Sequence, residues 1–200
     1  MKRFLSSMLV LILLLLAANV YAEGEGATLA LKLGFFVPHV DLTGGSSLSS
    51  GMNYELGLGF RPITNLGGEF SVGTFSSSSS SSTTNSTLAS ISSSSRKTST
   101  VPILATAKFI LPMAYEAFEI SFGGGLGYYL LNFSSTNIIN TITTKNQTSD
   151  GSIGYHIMAS LDLPITKSFI LGSEARWSYI GGNYKVWYGM TVNGMIKLLF

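Results

Sequence analysis

The sequence predicts an all-β protein, an eight-stranded antiparallel up-and-down transmembrane β-barrel that follows a cleaved signal peptide. Three observations carry this prediction. Apolar residues recur at every second position in eight separate segments; the charges of those segments all fall on the opposite parity; and the joins between segments alternate between short and long.

Composition sets the outer limits. Only 11% of the 200 residues are charged and 12% are aromatic, and the mean hydropathy is +0.37; a disordered chain is neither so apolar nor so rich in rings. The absence of cysteine excludes disulfide scaffolds, thiolate zinc sites, cysteine nucleophiles and a lipid anchor on a leader cysteine. The formal charge of +2 is due to Lys2 and Arg3, so the rest of the chain lacks the basic excess of a nucleic-acid binder.

Met1-Lys2-Arg3 is a short basic start, and Met8 to Ala18 is an apolar run leading to small residues at Val20 and Ala22. That is the plan of a secretory signal, because the run falls well short of the ~20 residues a spanning helix needs. Residues 1–22 are therefore expected to be the signal peptide, and residues 23–200 one barrel domain.

The first strand is read from Leu29, Leu31, Leu33, Phe35 and Val37, and the second from Tyr54, Leu56, Leu58 and Phe60. The third, the weakest, rests on Leu66, Phe70 and Val72; the fourth runs from Val101 through Ile103, Ala105, Ala107 and Phe109 to Leu111. Phe118, Ile120, Phe122, Leu126, Tyr128 and Leu130 mark the fifth, and Ile153, Tyr155, Ile157, Ala159, Leu161 and Leu163 the sixth. Phe169, Leu171, Ala175, Trp177 and Tyr179 give the seventh; Tyr188, Met190, Val192, Ile196, Leu198 and Phe200 give the eighth. Period two is the signature of a strand with two unlike faces.

With parity fixed by the apolar residues alone, Lys32, Glu55, Arg61, Glu69, Lys108, Glu119, Asp162, Glu174, Arg176 and Lys197 all lie on the other face. A soluble sandwich would also alternate, so two further signals decide between the folds. Joins beginning at Pro62, Pro112 and Pro164 are short, whereas those from Pro38 to Met52, Ser76 to Thr98 and Phe133 to Asp150 are long; an outer-membrane barrel has short periplasmic turns and long outer loops. Thirteen aromatic residues, Phe35, Tyr54, Phe60, Phe70, Phe109, Phe118, Tyr128, Tyr155, Phe169, Trp177, Tyr179, Tyr188 and Phe200, also share the apolar parity and lie mostly toward strand ends, as girdles at two water boundaries require.

Four stretches, Leu31-Lys-Leu-Gly-Phe-Phe-Val-Pro38, Tyr54-Glu-Leu-Gly-Leu-Gly-Phe-Arg-Pro62, Phe122-Gly-Gly-Gly-Leu-Gly-Tyr-Tyr129 and Ser173-Glu-Ala-Arg-Trp-Ser-Tyr179, resemble the small eight-stranded outer-membrane barrels of the OmpA/OmpX type. The ending Met195-Ile-Lys-Leu-Leu-Phe200 resembles the signal read by the barrel-insertion machinery, with Phe200 as its terminal aromatic. The resemblance implies an integral outer-membrane protein, exported through the periplasm, with outer-membrane lipids, lipopolysaccharide and the insertion machinery as partners and a monomeric state. It assigns no reaction, because the fold hosts many functions.

Five inward cations (Lys32, Arg61, Lys108, Arg176 and Lys197) face five inward anions (Glu55, Glu69, Glu119, Asp162 and Glu174). An eight-stranded barrel is only wide enough for its own side chains, so these charges are expected to pair into a plug and not to line a channel. The function expected is thus a structural or surface barrel, not an enzyme, with no cofactor or metal. One alternative is a transport barrel of the OmpW type for a small or greasy ligand, favoured by Phe36, Leu104, Ile110, Met158, Ile170 and Met195 on the inward parity. A lipid-modifying enzyme is the third class, and it would need catalytic groups facing lipid.

His156 shares the inward face with Ser160 and Glu174, which invites a Ser, His and acid reading. The lipid A deacylase barrels carry a His-x-Ser pair, but Met158 stands where that hydroxyl would be, so His156 is expected to hydrogen-bond a lumen carboxylate, Glu174 or Asp162. His39 has no second ligand nearby for a metal. The glycines at 123, 124, 125 and 127 open no helix and so make no phosphate loop. Residues 76–100 read as a mobile, low-complexity Ser/Thr loop, with Arg96 and Lys97 placed near anionic head groups.

Overall fold

The computed structural model describes residues 26–39, 49–85, 90–112, 118–139, 142–181 and 187–200. The proposed signal peptide, residues 1–22, lies outside them. Eight strands follow in chain order: β1 (Ala27–His39), β2 (Gly51–Ile63), β3 (Leu66–Asn85), β4 (Ser90–Pro112), β5 (Glu119–Ile139), β6 (Ile142–Pro164), β7 (Phe169–Ile180) and β8 (Trp187–Leu199). Each pairs antiparallel with the next, and β8 returns to β1, so the sheet closes into a barrel. At the closing seam Ala27 and Phe200 exchange both backbone hydrogen bonds at 3.0 Å. Closure leaves no sheet edge within the barrel, the condition for β structure to stand in hydrocarbon.

The two faces are those the alternation predicts. Leu126, Ile157 and Ile196 are 66%, 63% and 43% exposed on the outside, whereas Lys32 is 1% and Glu174 2% exposed within. Such a distribution is inverted relative to a soluble protein, and only an apolar solvent makes it stable. Tyr155 and Tyr179 stack at 4.8 Å between ring centres, and Trp177 lies 5.9 Å from Tyr188 and 5.7 Å from the ring of His39. These outward rings form part of a girdle near the ends of β7, β8 and β1 and beside them at the middle of β6.

The three prolines of the short joins stand at strand ends, where a missing donor does least harm, while Pro102 lies within β4. Pro112 and Pro164 are the last residues of β4 and β6, and Pro62 is next to last in β2.

The expected Ser/Thr loop over residues 76–100 is a correction. Ser76 to Asn85 continue β3, and Ser90 to Thr100 belong to β4; the two are paired from Phe75–Thr100 up to Asn85–Ser90. Of the long join from Phe133 to Asp150, Phe133 to Ile139 and Ile142 to Asp150 are likewise strand, paired from Phe133–Thr148 to Ile139–Ile142. The cause is local: serine and threonine satisfy no core, but they carry ordinary backbone donors and acceptors, and hairpins already in register extend the ladder at little cost. Arg96 and Lys97 therefore sit on opposite faces of β4, within a sheet and not on a mobile tip. β3, β4, β5 and β6 run to 20, 23, 21 and 23 residues, against 12 or 13 for the other four. A spanning strand needs about 9–11 residues, so the middle four strands raise a wall well above the rest of the rim.

Candidate functional site in the barrel lumen

The inward residues form layers, and the register explains each. Nearest the turn-side mouth, Lys197 Nζ bonds Asp162 Oδ2 at 2.6 Å, and Arg61 Nη1 bonds Glu119 Oε1 at 2.9 Å. Arg61 also donates from Nε to the Thr64 carbonyl at 2.9 Å, which ties it to the β2–β3 turn. Between these pairs lies a cavity of about 250 Å³ whose lining includes Lys108, Glu69, Ser121, Ile110 and Ile170.

Above it the central charges interlock. Lys32 Nζ reaches Glu69 at 2.5 Å, Glu174 at 2.6 Å and Glu55 at 3.3 Å. Arg176 bonds Glu55 at 2.7 Å and Glu174 at 2.6 Å, and Lys108 bonds Glu69 at 2.6 Å. Three cations thus share three carboxylates contributed by β1, β2, β3, β4 and β7. Each cation is 8% exposed or less, so every charge depends on its neighbours; a buried ion left alone costs several kcal/mol. All ten charges expected on the inner face occupy the lumen, and Glu174 and Arg176, two residues apart on β7 and so on one face, pair at its centre.

The next layer is neutral and depends on glycine. Asn53 on β2 and Asn193 on β8 are both register partners of Gly34 on β1, and their amides bond across it at 2.9 Å. A β-carbon at Gly34 would stand 2.5 Å from the Asn193 oxygen. The same device recurs at Gly125, flanked in register by Thr106 and His156, which bond at 2.9 Å between Oγ1 and Nε2. An inward glycine removes the intervening side chain, so residues two strands apart can meet.

Here the expectation for His156 is corrected: its partner is the Thr106 hydroxyl and not a carboxylate. The Ser, His and acid reading fails on the same geometry. Ser160 bonds Ser121 at 2.6 Å, Glu174 is held by Lys32 and Arg176, and His156 joins neither. Among the described residues no group of three or more His, Asp or Glu side chains is arranged to hold a metal ion.

The outer half of the lumen holds an apolar cluster, with Thr100 and Ser152 buried beside it. Phe36 and Phe75 stack at 4.1 Å, and Leu104, Tyr129, Leu131 and Ile180 pack with them, Phe133 lying against the cluster. Phe36 and Leu104 were legible from parity. Phe75, Tyr129, Leu131 and Ile180 were not, since apolar residues were read as outward. For Tyr129 and Leu131 the signal is the loss of alternation itself: Tyr128 to Leu131 is an unbroken apolar run, as a strand with two dry faces must be.

An apolar exterior, a closed ladder and ion pairs turned to the axis define the class: a transmembrane β-barrel. Known structures place it further. No protein-family model matches the sequence, and no curated protein matches it. Among solved structures, Neisserial surface protein A has the same fold with a TM-score of 0.58 at 14% identity, over 88% of this chain and 97% of that one. The N-terminal β-barrel domain of OprF from Pseudomonas aeruginosa gives 0.53 at 10% identity, over 88% of this chain and 100% of that one. Ail, the attachment invasion locus protein of Yersinia pestis, gives 0.51 at 16% identity, over 87% and 99%. The fold is that of the small eight-stranded outer-membrane barrels of the OmpA/OmpX type.

Proposed function

We propose that this chain is an integral outer-membrane barrel with a structural and surface-presenting role, its lumen sealed by its own side chains, and that it is not an enzyme. The observation that carries the reading is the interlocked set of Lys32, Lys108 and Arg176 with Glu55, Glu69 and Glu174 beneath an apolar layer. An ion crossing the barrel must break several of these pairs and then pass a dry segment stacked shut by Phe36 and Phe75. Inward apolar residues pack on one another, which supports a filled interior over passage of a greasy ligand. Outer-membrane lipids and lipopolysaccharide are the surroundings this reading requires. Phe200, 56% exposed at the seam with β1, is the residue it assigns to the insertion machinery.

Planar-bilayer recording tests it. The wild-type barrel is expected to show little conductance, and Lys108→Ala, which frees Glu69 from one cation beside the cavity, to raise it. A large steady wild-type current would overturn the sealed lumen.

A further inference from the structure

The wall raised by β3 to β6 has two edges whose backbone groups lack a strand partner among the described residues. On β6, pairing with β7 ends at Gly154–Ile180, and Gly181 donates to the Ile153 carbonyl at 3.2 Å; the chain then returns to Trp187, itself paired with Ile180. Since the Ile153 carbonyl points to that side, so do the N–H and C=O groups of Gly151, Ser149, Gln147 and Lys145. On β3, pairing with β2 ends at Asn53–Phe75, and one bridge follows at Ser49–Ser78; from Ser79 to Asn85 only β4 is paired. Water-exposed edges usually carry charges, prolines or bulges that discourage strand addition. Ser79 to Asn85 has no charge and no proline, and Thr143 to Ser149 has one charge, Lys145.

Four strands make half of an eight-strand circle, so these two edges stand on opposite sides of the barrel axis. We propose that a second copy of this chain, standing in an opposed membrane, completes the wall. Inverted about a two-fold axis perpendicular to the barrel, the second copy lays β6 antiparallel to β6 and β3 antiparallel to β3. The two half-walls then close an eight-stranded cylinder. Two copies in one membrane cannot do this: β6 would meet β6 in parallel, and β6 against a neighbour's β3 leaves an open array.

One axis serves both seams. The ladder Ser82–Ser93–Ile138–Thr143 runs perpendicular to the strands, and in a barrel whose strands tilt by roughly 35–45° it climbs about three residues over three steps. The point on descending β6 level with Ser82, the middle of the β3 edge, is thus within a residue of Gln147. Centred on Gln147, the register opposes Gln147 to itself, Lys145 to Ser149 and Thr144 to Asp150, and no like charges meet. The expected monomer is, on this inference, one half of an adhesive pair. The inference rests on the barrel standing in the membrane with the wall outward, and not on the lumen being sealed.

The test uses two differently dyed populations of phosphatidylcholine vesicles carrying the purified barrel. Clusters containing both dyes are expected only when both populations carry it, and Gln147→Pro, which removes one edge donor from each copy and leaves the β5 ladder intact, should weaken clustering about tenfold. Gln147→Glu vesicles should not cluster with themselves, but should cluster with Gln147→Lys vesicles. Absence of clustering by the wild type, recruitment of barrel-free vesicles into the clusters, or failure of the Glu and Lys populations to pair would overturn the proposal. Heat-shifted gel mobility reads the barrel and bilayer conductance reads the lumen, so each claim fails separately.

Discussion

At the scale of single residues, context sets what each charge is worth. Arg176 holds Glu55 and Glu174 at the centre of the lumen, so Arg176→Met leaves two buried carboxylates short of a cation and should cost about 3–5 kcal/mol. Arg61 bonds Glu119 at the mouth, where the pair is 22% and 24% exposed, and the loss of that ion pair should cost at most about 1 kcal/mol. Urea unfolding of the refolded barrels in lipid vesicles, followed by gel mobility, compares Arg176→Met with Arg61→Ala; equal losses would contradict the layered network. Glycine gives a second contrast. Gly125→Ala places a β-carbon 1.9 Å from the Ala105 carbonyl, beneath the Thr106–His156 bond, whereas at outward Gly124 the nearest atom is at 3.1 Å. Gly125→Ala should therefore destabilise by roughly 1–3 kcal/mol, and Gly124→Ala by less, in the same assay.

At the scale of elements, alternation revealed more where the two faces differ in chemistry than where they agree. All eight strands were legible because lipid and lumen demand opposite side chains at successive positions, and all ten charges followed from that parity. The upper parts of β3 to β6 were not, because above the membrane both faces of the wall meet water and Ser76 to Ser82 carry no contrast to read. The apolar layer was hidden for the converse reason, since at Tyr128 to Leu131 both faces are dry. The bonds across Gly34 and Gly125 needed the register, which no single strand contains. The extended strands also change what accessibility should show. Lys97 is exposed, and its strand is paired on both sides, to Ser78 on β3 and Ser134 on β5. On intact cells Lys97→Cys should react with a membrane-impermeant maleimide, while trypsin leaves the wild-type Arg96–Lys97 segment uncut. An unreactive cysteine would contradict the outward wall.

At the scale of the whole molecule, the eight strands make one closed ladder, and its cooperativity should be visible. The purified protein is expected to run faster unheated than boiled in detergent gels, because the closed barrel is more compact than the unfolded chain; identical mobilities would contradict closure. The deepest claim is the inversion of faces, which underlies the sealed lumen, the girdle and the raised wall together. Nitroxide labels placed singly from Met190 to Leu198 along β8 in lipid vesicles test it most directly. Oxygen accessibility should oscillate with a period of two residues, high at Met190, Val192, Gly194, Ile196 and Leu198 and low at Thr191, Asn193, Met195 and Lys197. A flat profile, or one in the opposite phase, would contradict the account.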